Sequence, residues 1–237
     1  MKKLITLITL LLFINLTYSQ TVSFCDDFES YLVGSPIAET SSDWNSWAEL
    51  MSGATAPFAD DAQVANTLAS SGTNSLYFYS AAGATGGPQD IVLPFGSTPL
   101  TTGDFEFNAN FYVTTGAYFN FQAEVTPGIT WAMDVHMNST GIMDFTNGGG
   151  AINFLSIPFN LNTWFNLSVK VDLTNNVWEV YIDNNIQGTF TNTINQIASL
   201  DIYPIGGHEF WIDDVCYSHT PAVLPAVNGQ VLSVVPI

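Results

Sequence analysis

The chemistry open to this chain is mostly carboxylate chemistry, and its acids gather in two places. Near the start stand Cys25, Asp26, Asp27, Phe28 and Glu29, and near the end stand Asp213, Asp214, Val215 and Cys216. Cys25 and Cys216 are the two cysteines of the chain. In an exported protein such an isolated pair forms one disulfide more often than it stays as two buried thiols. The bond would bring their α-carbons within about 7 Å. Asp26, Asp27, Glu29, Asp213 and Asp214 would then crowd together with no cation among them. Carboxylates at that range repel unless something positive lies between them. Calcium, which accepts six to eight oxygen ligands, is the ion expected there, in a structural role. Side chains pointing to opposite faces and into water would need no ion.

A second constellation comes from strands whose residues alternate. Phe105, Phe107, Ala109, Phe111 and Val113 share one face, which leaves Glu106, Asn108, Asn110 and Tyr112 on the other. The same alternation sets Tyr118, Asn120, Gln122 and Glu124 opposite Phe119, Phe121, Ala123 and Val125. It also sets Asp134 and His136 opposite Trp131, Met133, Val135 and Met137. Amides and carboxylates bond sugar hydroxyls and aromatic rings stack on sugar C–H faces, so these polar faces are candidates for a carbohydrate groove. Two carboxyls on one face are also what a glycosidase needs. A sheet face left to solvent alternates in the same way. His136 alone is no evidence of catalysis or metal.

Other chemistry is absent from the text. No Gly-x-Ser-x-Gly or His-Glu-x-x-His motif occurs. The glycines of 83–87 and 148–150 precede no helix and cradle no phosphate. Trp44, Trp47, Trp164 and Trp178 are candidates for a binding rim, although burial is the commoner fate of tryptophan.

Charge excludes more. The chain has 21 Asp or Glu against three Lys or Arg in 237 residues. Lys2 and Lys3 precede an apolar run over 4–14, too short for a membrane span, and then small residues. This reads as a signal peptide over 1–19, cleaved before Gln20. Only Lys170 then offsets the acids, for a net charge of about −20. One cation cannot neutralise a row of phosphates, so nucleic acid is excluded as a partner. Anionic membrane surfaces are disfavoured, and no membrane insertion is expected. With 17 Phe, nine Tyr and six Trp the chain is not disordered. It is an exported protein, expected outside the cell or on its surface.

These residues must be positioned by strands. Period-two segments read at 75–79, 91–95, 104–113, 118–125, 130–137, 164–171, 178–182, 198–203 and 209–217, bounded by Gly, Pro, Asn and Thr. Strand starts about 8–12 residues apart indicate an all-β sandwich or barrel. Short helices fit only at 44–50 and 60–69. One domain is expected over 20–219, followed by a Pro-spaced linker or tail over 220–237.

The opening Phe24–Gly34 stretch with Trp44 and Trp47, then Gly72, Asn74 and Tyr77, resembles modules of the concanavalin A-like lectin/glucanase superfamily. Segments 87–96 and 178–183 and the closing Phe210, Trp211, Asp213, Asp214 and Val215 resemble the version found in flavobacterial-type secreted proteins. The resemblance implies a jelly roll of two curved antiparallel sheets, sugar bound on the concave face and a calcium joining the terminal segments. It also implies further modules, adhesive repeats and a type IX secretion signal, on the C-terminal side. Laminarinase-like members carry Glu-x-Asp-x-x-Glu on a strand. Here Asp134 matches the middle acid, while Ala132 and Met137 replace both glutamates. The expectation is a secreted, non-catalytic module for a polysaccharide or cell-surface glycan. The alternatives are an adhesive module without a ligand and, third, a glycoside hydrolase or polysaccharide lyase.

Overall fold

The computed structural model describes residues 20–84 and 87–222. The expected leader and all but the first residues of the expected tail lie outside them. The described residues form β1 (Val22–Asp26), α1 (Ile37–Thr40), β2 (Asn45–Ser46), α2 (Trp47–Ser52), β3 (Gln63–Ala65), β4 (Ser75–Tyr79), β5 (Ile91–Pro94) and β6 (Asp104–Gln122). They continue with β7 (Trp131–Met137), β8 (Ile142–Thr146), β9 (Asn153–Pro158), β10 (Phe165–Asp172), β11 (Val177–Ile182), β12 (Asn185–Phe190), β13 (Ser199–Ile202) and β14 (Glu209–Thr220). All pairings are antiparallel. The chain is all-β, as expected.

The long β6 organises the molecule. Its first half pairs with β10 and β14, and its second half with β13 and β7. The first sheet runs β12-β11-β10-β6-β14, with β4 and β1 on the far side of β14 and β3 beyond β4. The second sheet runs β2-β5-β13-β6-β7-β8-β9. Sequence alternation predicts two strands where β6 is continuous, because no reversal of direction separates them. The strand bends at Thr114–Gly116 instead. A β-carbon on Gly116 would lie 2.7 Å from the His208 ring and 3.0 Å from the Met137 carbonyl oxygen, so the crowded bend needs glycine.

Parity survives the bend, so the phenylalanines of both halves point inward. Phe107 meets Phe119 at 5.7 Å and Phe121 at 5.4 Å between ring centres, and Phe111 stacks on Phe119 at 5.5 Å. The two halves of one strand therefore face each other across the core. Their polar residues must point to opposite sides of the sandwich.

Helix α2 matches the helix expected at 44–50. Ser46 Oγ accepts from the Glu49 amide at 3.0 Å, and Gly53 ends the helix in the left-handed region. The helix expected at 60–69 is absent, and β3 lies there instead. Asp60 and Asp61 leave that segment to cap other helices. Asp60 accepts from the Ala48 amide at 2.8 Å, and Asp61 from the amides of Ala38 and Glu39 at 2.9 and 3.1 Å. Trp44 and Trp178 are core residues, with indole N–H groups donating to Asp26 and Asn195.

Cys25 and Cys216 stand opposite each other in the β1–β14 ladder, 4.1 Å apart at the α-carbons, and form the expected disulfide. It closes a loop of 191 residues. Peptide mapping of the non-reduced exported protein should find the Cys25–Cys216 crosslink, and native free thiols would contradict it. Replacing both cysteines by serine should lower unfolding free energy by ~2–5 kcal/mol in a denaturant titration.

Candidate functional site

A cavity of about 550 Å³ opens on the outer face of the second sheet, lined by Tyr118, Trp131, Asp134, His136, Tyr203 and the loop Gly148–Gly150. Tyr118 on β6 pairs across the ladder with His136 on β7, which pairs with Asp144 on β8. Tyr203 follows β13 on the other flank of β6. The rings of Tyr203, Tyr118 and His136 lie in a row, with successive centres 4.6 Å apart. Half-buried Asp144 extends that row toward β9.

Trp131 arrives by a different route. Simple alternation assigns it to the core with Met133 and Val135. The β6–β7 ladder slips between Phe121 and Gln122, so that Phe121 faces Met133 but Gln122 faces Trp131. The extra residue is Ala132, fully buried. Such a bulge inverts the side-chain phase beyond it, and it turns Trp131 out of the core into the cavity. Gly148 packs on this residue; a β-carbon there would fall 2.8 Å from the Trp131 carbonyl oxygen.

Asp134 ties the cavity together. Its carboxylate accepts from the Tyr118 hydroxyl at 2.6 Å and from the Gly149 amide at 3.0 Å. Burial, and then the Asp134 charge, push the Tyr118 phenol well above its ordinary value, so it remains a proton donor. Gly149 and Gly150 both have positive φ, which lets the loop turn tightly enough to reach Asp134. Burial holds His136 below the usual histidine range.

Under the floor lies a polar layer closed to solvent. Asn120 donates to Asp201 at 2.6 Å, and Gln122 donates to Asn120 at 2.6 Å while accepting from the Gly128 amide at 2.8 Å. Asp201 is fully buried, and Asp90 lies close enough to interact with it. Burial, and then the Asp201 charge, raise Asp90 far above the carboxylate range, so the pair shares a proton at neutral pH.

Of the nine residues proposed from sequence for sugar contact, Tyr118, Asp134 and His136 line the cavity. Asn120 and Gln122 lie beneath it, bonded within the protein. Glu124 stands in the loop after β6. Asn108, Asn110 and Tyr112 belong to the outer face of the first sheet, so the nine do not form one surface. There Asn108 bonds Glu106, Asn110 donates to Ser70 and Asp214, and Tyr112 packs between Trp164 and Trp211. Trp131, Tyr203 and the glycine loop were missed. Tyr203 was within reach, because Asp201 and Tyr203 alternate with Leu200 and Ile202. Nothing in the text marks the bulge.

The five acids of the seam do not converge on one point. Asp26 accepts from the Phe28 amide, the Tyr31 hydroxyl and the Trp44 indole at 2.9–3.0 Å. Asp27 accepts from the Glu29 amide at 3.2 Å. Glu29 accepts from the Thr73 and Asn74 amides at 2.7 and 2.6 Å. These two bonds hold its carboxyl below the ordinary value. Asp213 accepts from the amides of Ser70, Ser71 and Asp214, and Asp214 from the Ser71 hydroxyl and the Asn110 amide. Burial nevertheless pushes Asp213 up to about 6. Among the described residues no group of three or more His, Cys, Asp or Glu side chains is placed to hold a metal ion. Donors from the backbone and neighbouring side chains already meet at least one oxygen of each of the five acids, and a cation would have to compete with them.

No protein-family model matches the sequence, and no curated protein matches it. Solved structures do match. Basic winged bean lectin, solved with Tn-antigen, superposes with a TM-score of 0.51 at 11% identity, over 85% of this chain and 99% of the lectin. The carbohydrate-binding module CBM66 from Bacillus subtilis gives 0.46 at 11% identity, over 74% of this chain and 95% of the module. The botulinum neurotoxin serotype G binding domain gives 0.46 at 10% identity over 70% of this chain, which spans 45% of that domain. At such identities the likeness is one of fold. The chain has the lectin-type jelly roll.

Two solution experiments follow. Thermal melts with EDTA, millimolar calcium or millimolar magnesium at constant ionic strength should give equal melting temperatures, since amide and hydroxyl donors already hydrogen-bond the carboxylates of the seam. A calcium-specific rise of roughly 5–10 °C would show the ion displacing them. The second concerns Asp90, which keeps its proton in the fold but loses it near pH ~4 when unfolded. Through this group stability falls as pH rises above that value. His208, lowered to about 4 by burial, acts oppositely and costs stability as pH drops below ~6.5. Asp90→Asn keeps a donor toward Asp201 and removes the linkage. Its melting temperature should climb relative to wild type between about pH 5 and about pH 8; a constant offset would mean that Asp90 ionises normally.

Proposed function

We propose that this chain is a secreted, non-catalytic carbohydrate-binding β-sandwich whose sugar site is the cavity of Trp131, Tyr118, Tyr203 and His136. The observation that carries the reading is Trp131, turned out of the core by a bulge beside a row of three rings. Aromatic rings that line a cavity next to hydrogen-bonding groups are how a protein holds a sugar ring. The fold it shares with basic winged bean lectin, a protein solved with a sugar antigen, agrees with this. Asp134 positions the site rather than reacting. It is buried, and its two oxygens already accept from Tyr118 and Gly149, which supports a positioning role.

The disulfide supports an extracellular setting, and among the described residues no helix is long and apolar enough to cross a membrane. Export by the route of flavobacterial-type secreted proteins belongs to the same proposal and rests on the short motifs of the sequence.

The adhesive reading draws on the opposite face. There half-buried Tyr77, Tyr112 and Trp164 and buried Trp211 form a row, in the order Tyr77, Trp211, Tyr112, Trp164, with successive ring centres 4.7, 5.8 and 5.7 Å apart. The two readings separate on Trp131. On a glycan array or in affinity electrophoresis, Trp131→Ala should weaken retention by about tenfold or more while its thermal melt stays near wild type. Wild type without retention on any polysaccharide would remove the carbohydrate reading and favour the adhesive one.

A further inference from the structure

The charges around the cavity are of one sign. Asp134 lies in its wall, and Asp144 continues the ring row on β8. Behind the floor the Asp90–Asp201 pair keeps one negative charge after sharing its proton. The remaining titratable groups facing the cavity are Tyr118, Tyr203 and His136. Both phenols are raised and the imidazole is lowered, all mainly by burial, so none is charged at neutral pH. Lys170 is the one Lys or Arg among the described residues. It lies on β10 in the first sheet, across the core from the cavity. There its ammonium sits 3.3 Å from Glu106 and 5.2 Å from the centre of the Tyr181 ring.

A ligand carboxylate or sulfate in this cavity would meet negative charge with no cation to bond it. Proteins that capture such groups use Arg, Lys or bundles of free amide N–H donors. In the loop, the Gly149 amide is already taken by Asp134 and the Gly150 amide by the Asn147 carbonyl. The whole-chain charge of −18 opposes an anionic polymer at longer range as well.

We propose that the cavity takes uncharged sugar residues and excludes uronate and sulfated ones, so that the ligand is a neutral glycan. This rests on the carbohydrate reading above and narrows it.

The test is affinity electrophoresis of the whole exported chain and of Trp131→Ala, at low and at physiological salt. One set of gels contains neutral glucan, mannan, galactan or xylan. The other contains alginate, polygalacturonate or carrageenan. Polygalacturonate is run beside its methyl ester, which keeps the backbone and loses the charge. The expected result is retention on at least one neutral polymer, insensitive to salt and weakened about tenfold or more by Trp131→Ala. No retention is expected on any anionic polymer at either salt. Trp131-dependent retention on an anionic polymer would overturn the neutral-ligand inference and leave the carbohydrate reading standing. Failure to bind every polymer in both sets would overturn both.

Discussion

Carboxylates in this fold have to be satisfied almost entirely without cations. Twenty-one acidic side chains share the described structure with one lysine, and that lysine pairs with Glu106 on the surface. The acids are met by backbone amides instead. Asp60 and Asp61 cap helices from a distance, Glu29 and Asp213 hold residues 70–74, and Asp134 holds the Gly148–Gly150 loop. A carboxylate bonded to amides is fixed more closely in direction than one paired with a flexible lysine, because the donors belong to the backbone. The acids thereby become joints between segments distant in sequence. Glycine appears where a joint leaves no room. A β-carbon on Gly72 would lie 2.4 Å from the Glu29 carboxyl.

That constraint locates the cavity as well as the seam. Asp134 cannot hold both Tyr118 and Gly149 unless β6 brings Tyr118 beside β7 and the loop after β8 folds back over it. The bend in β6 supplies the first condition, since beyond it the strand leaves β10 and β14 for β13 and β7. Gly149 and Gly150, in the left-handed region, supply the second. Trp131 completes the wall only because Ala132 breaks the ladder. Two departures from regular sheet, a bend and a bulge, make a pocket from what would otherwise be a flat face.

Much of the fold was legible because alternation is a local signal. Phe105 to Phe121 announce a half-buried strand without help from tertiary structure, and the cysteine pair tied β1 to β14. What alternation cannot show is which sheet a strand serves. Asn108 and Asn120 read alike, yet they lie on opposite sides of the core because the strand bends between them. The short strands β2, β3, β8, β9 and β12 do not stand out in the sequence; Gly188 lies inside β12 and Pro158 ends β9. The seam was read as a metal site because a sequence displays side-chain charge and conceals amides. Two of the three amides that meet Asp213 belong to Ser70 and Ser71, more than 140 residues away.

The same concealment bears on the site. Polar residues that seemed poised for ligand, Asn120 and Gln122, are spent inside the protein on Asp201 and Gly128. Without Asn120, Asp201 would lose the side-chain donor to its buried carboxylate, and such a group costs several kcal/mol unless it is bonded or neutralised. The amides therefore serve the floor, and in the proposed site recognition falls to the rings above it. On the proposed reading, a surface with few free donors and a field of one sign would select its ligand by shape and by the absence of charge. The shortage of cations that organises the fold in this way also limits what the cavity can hold.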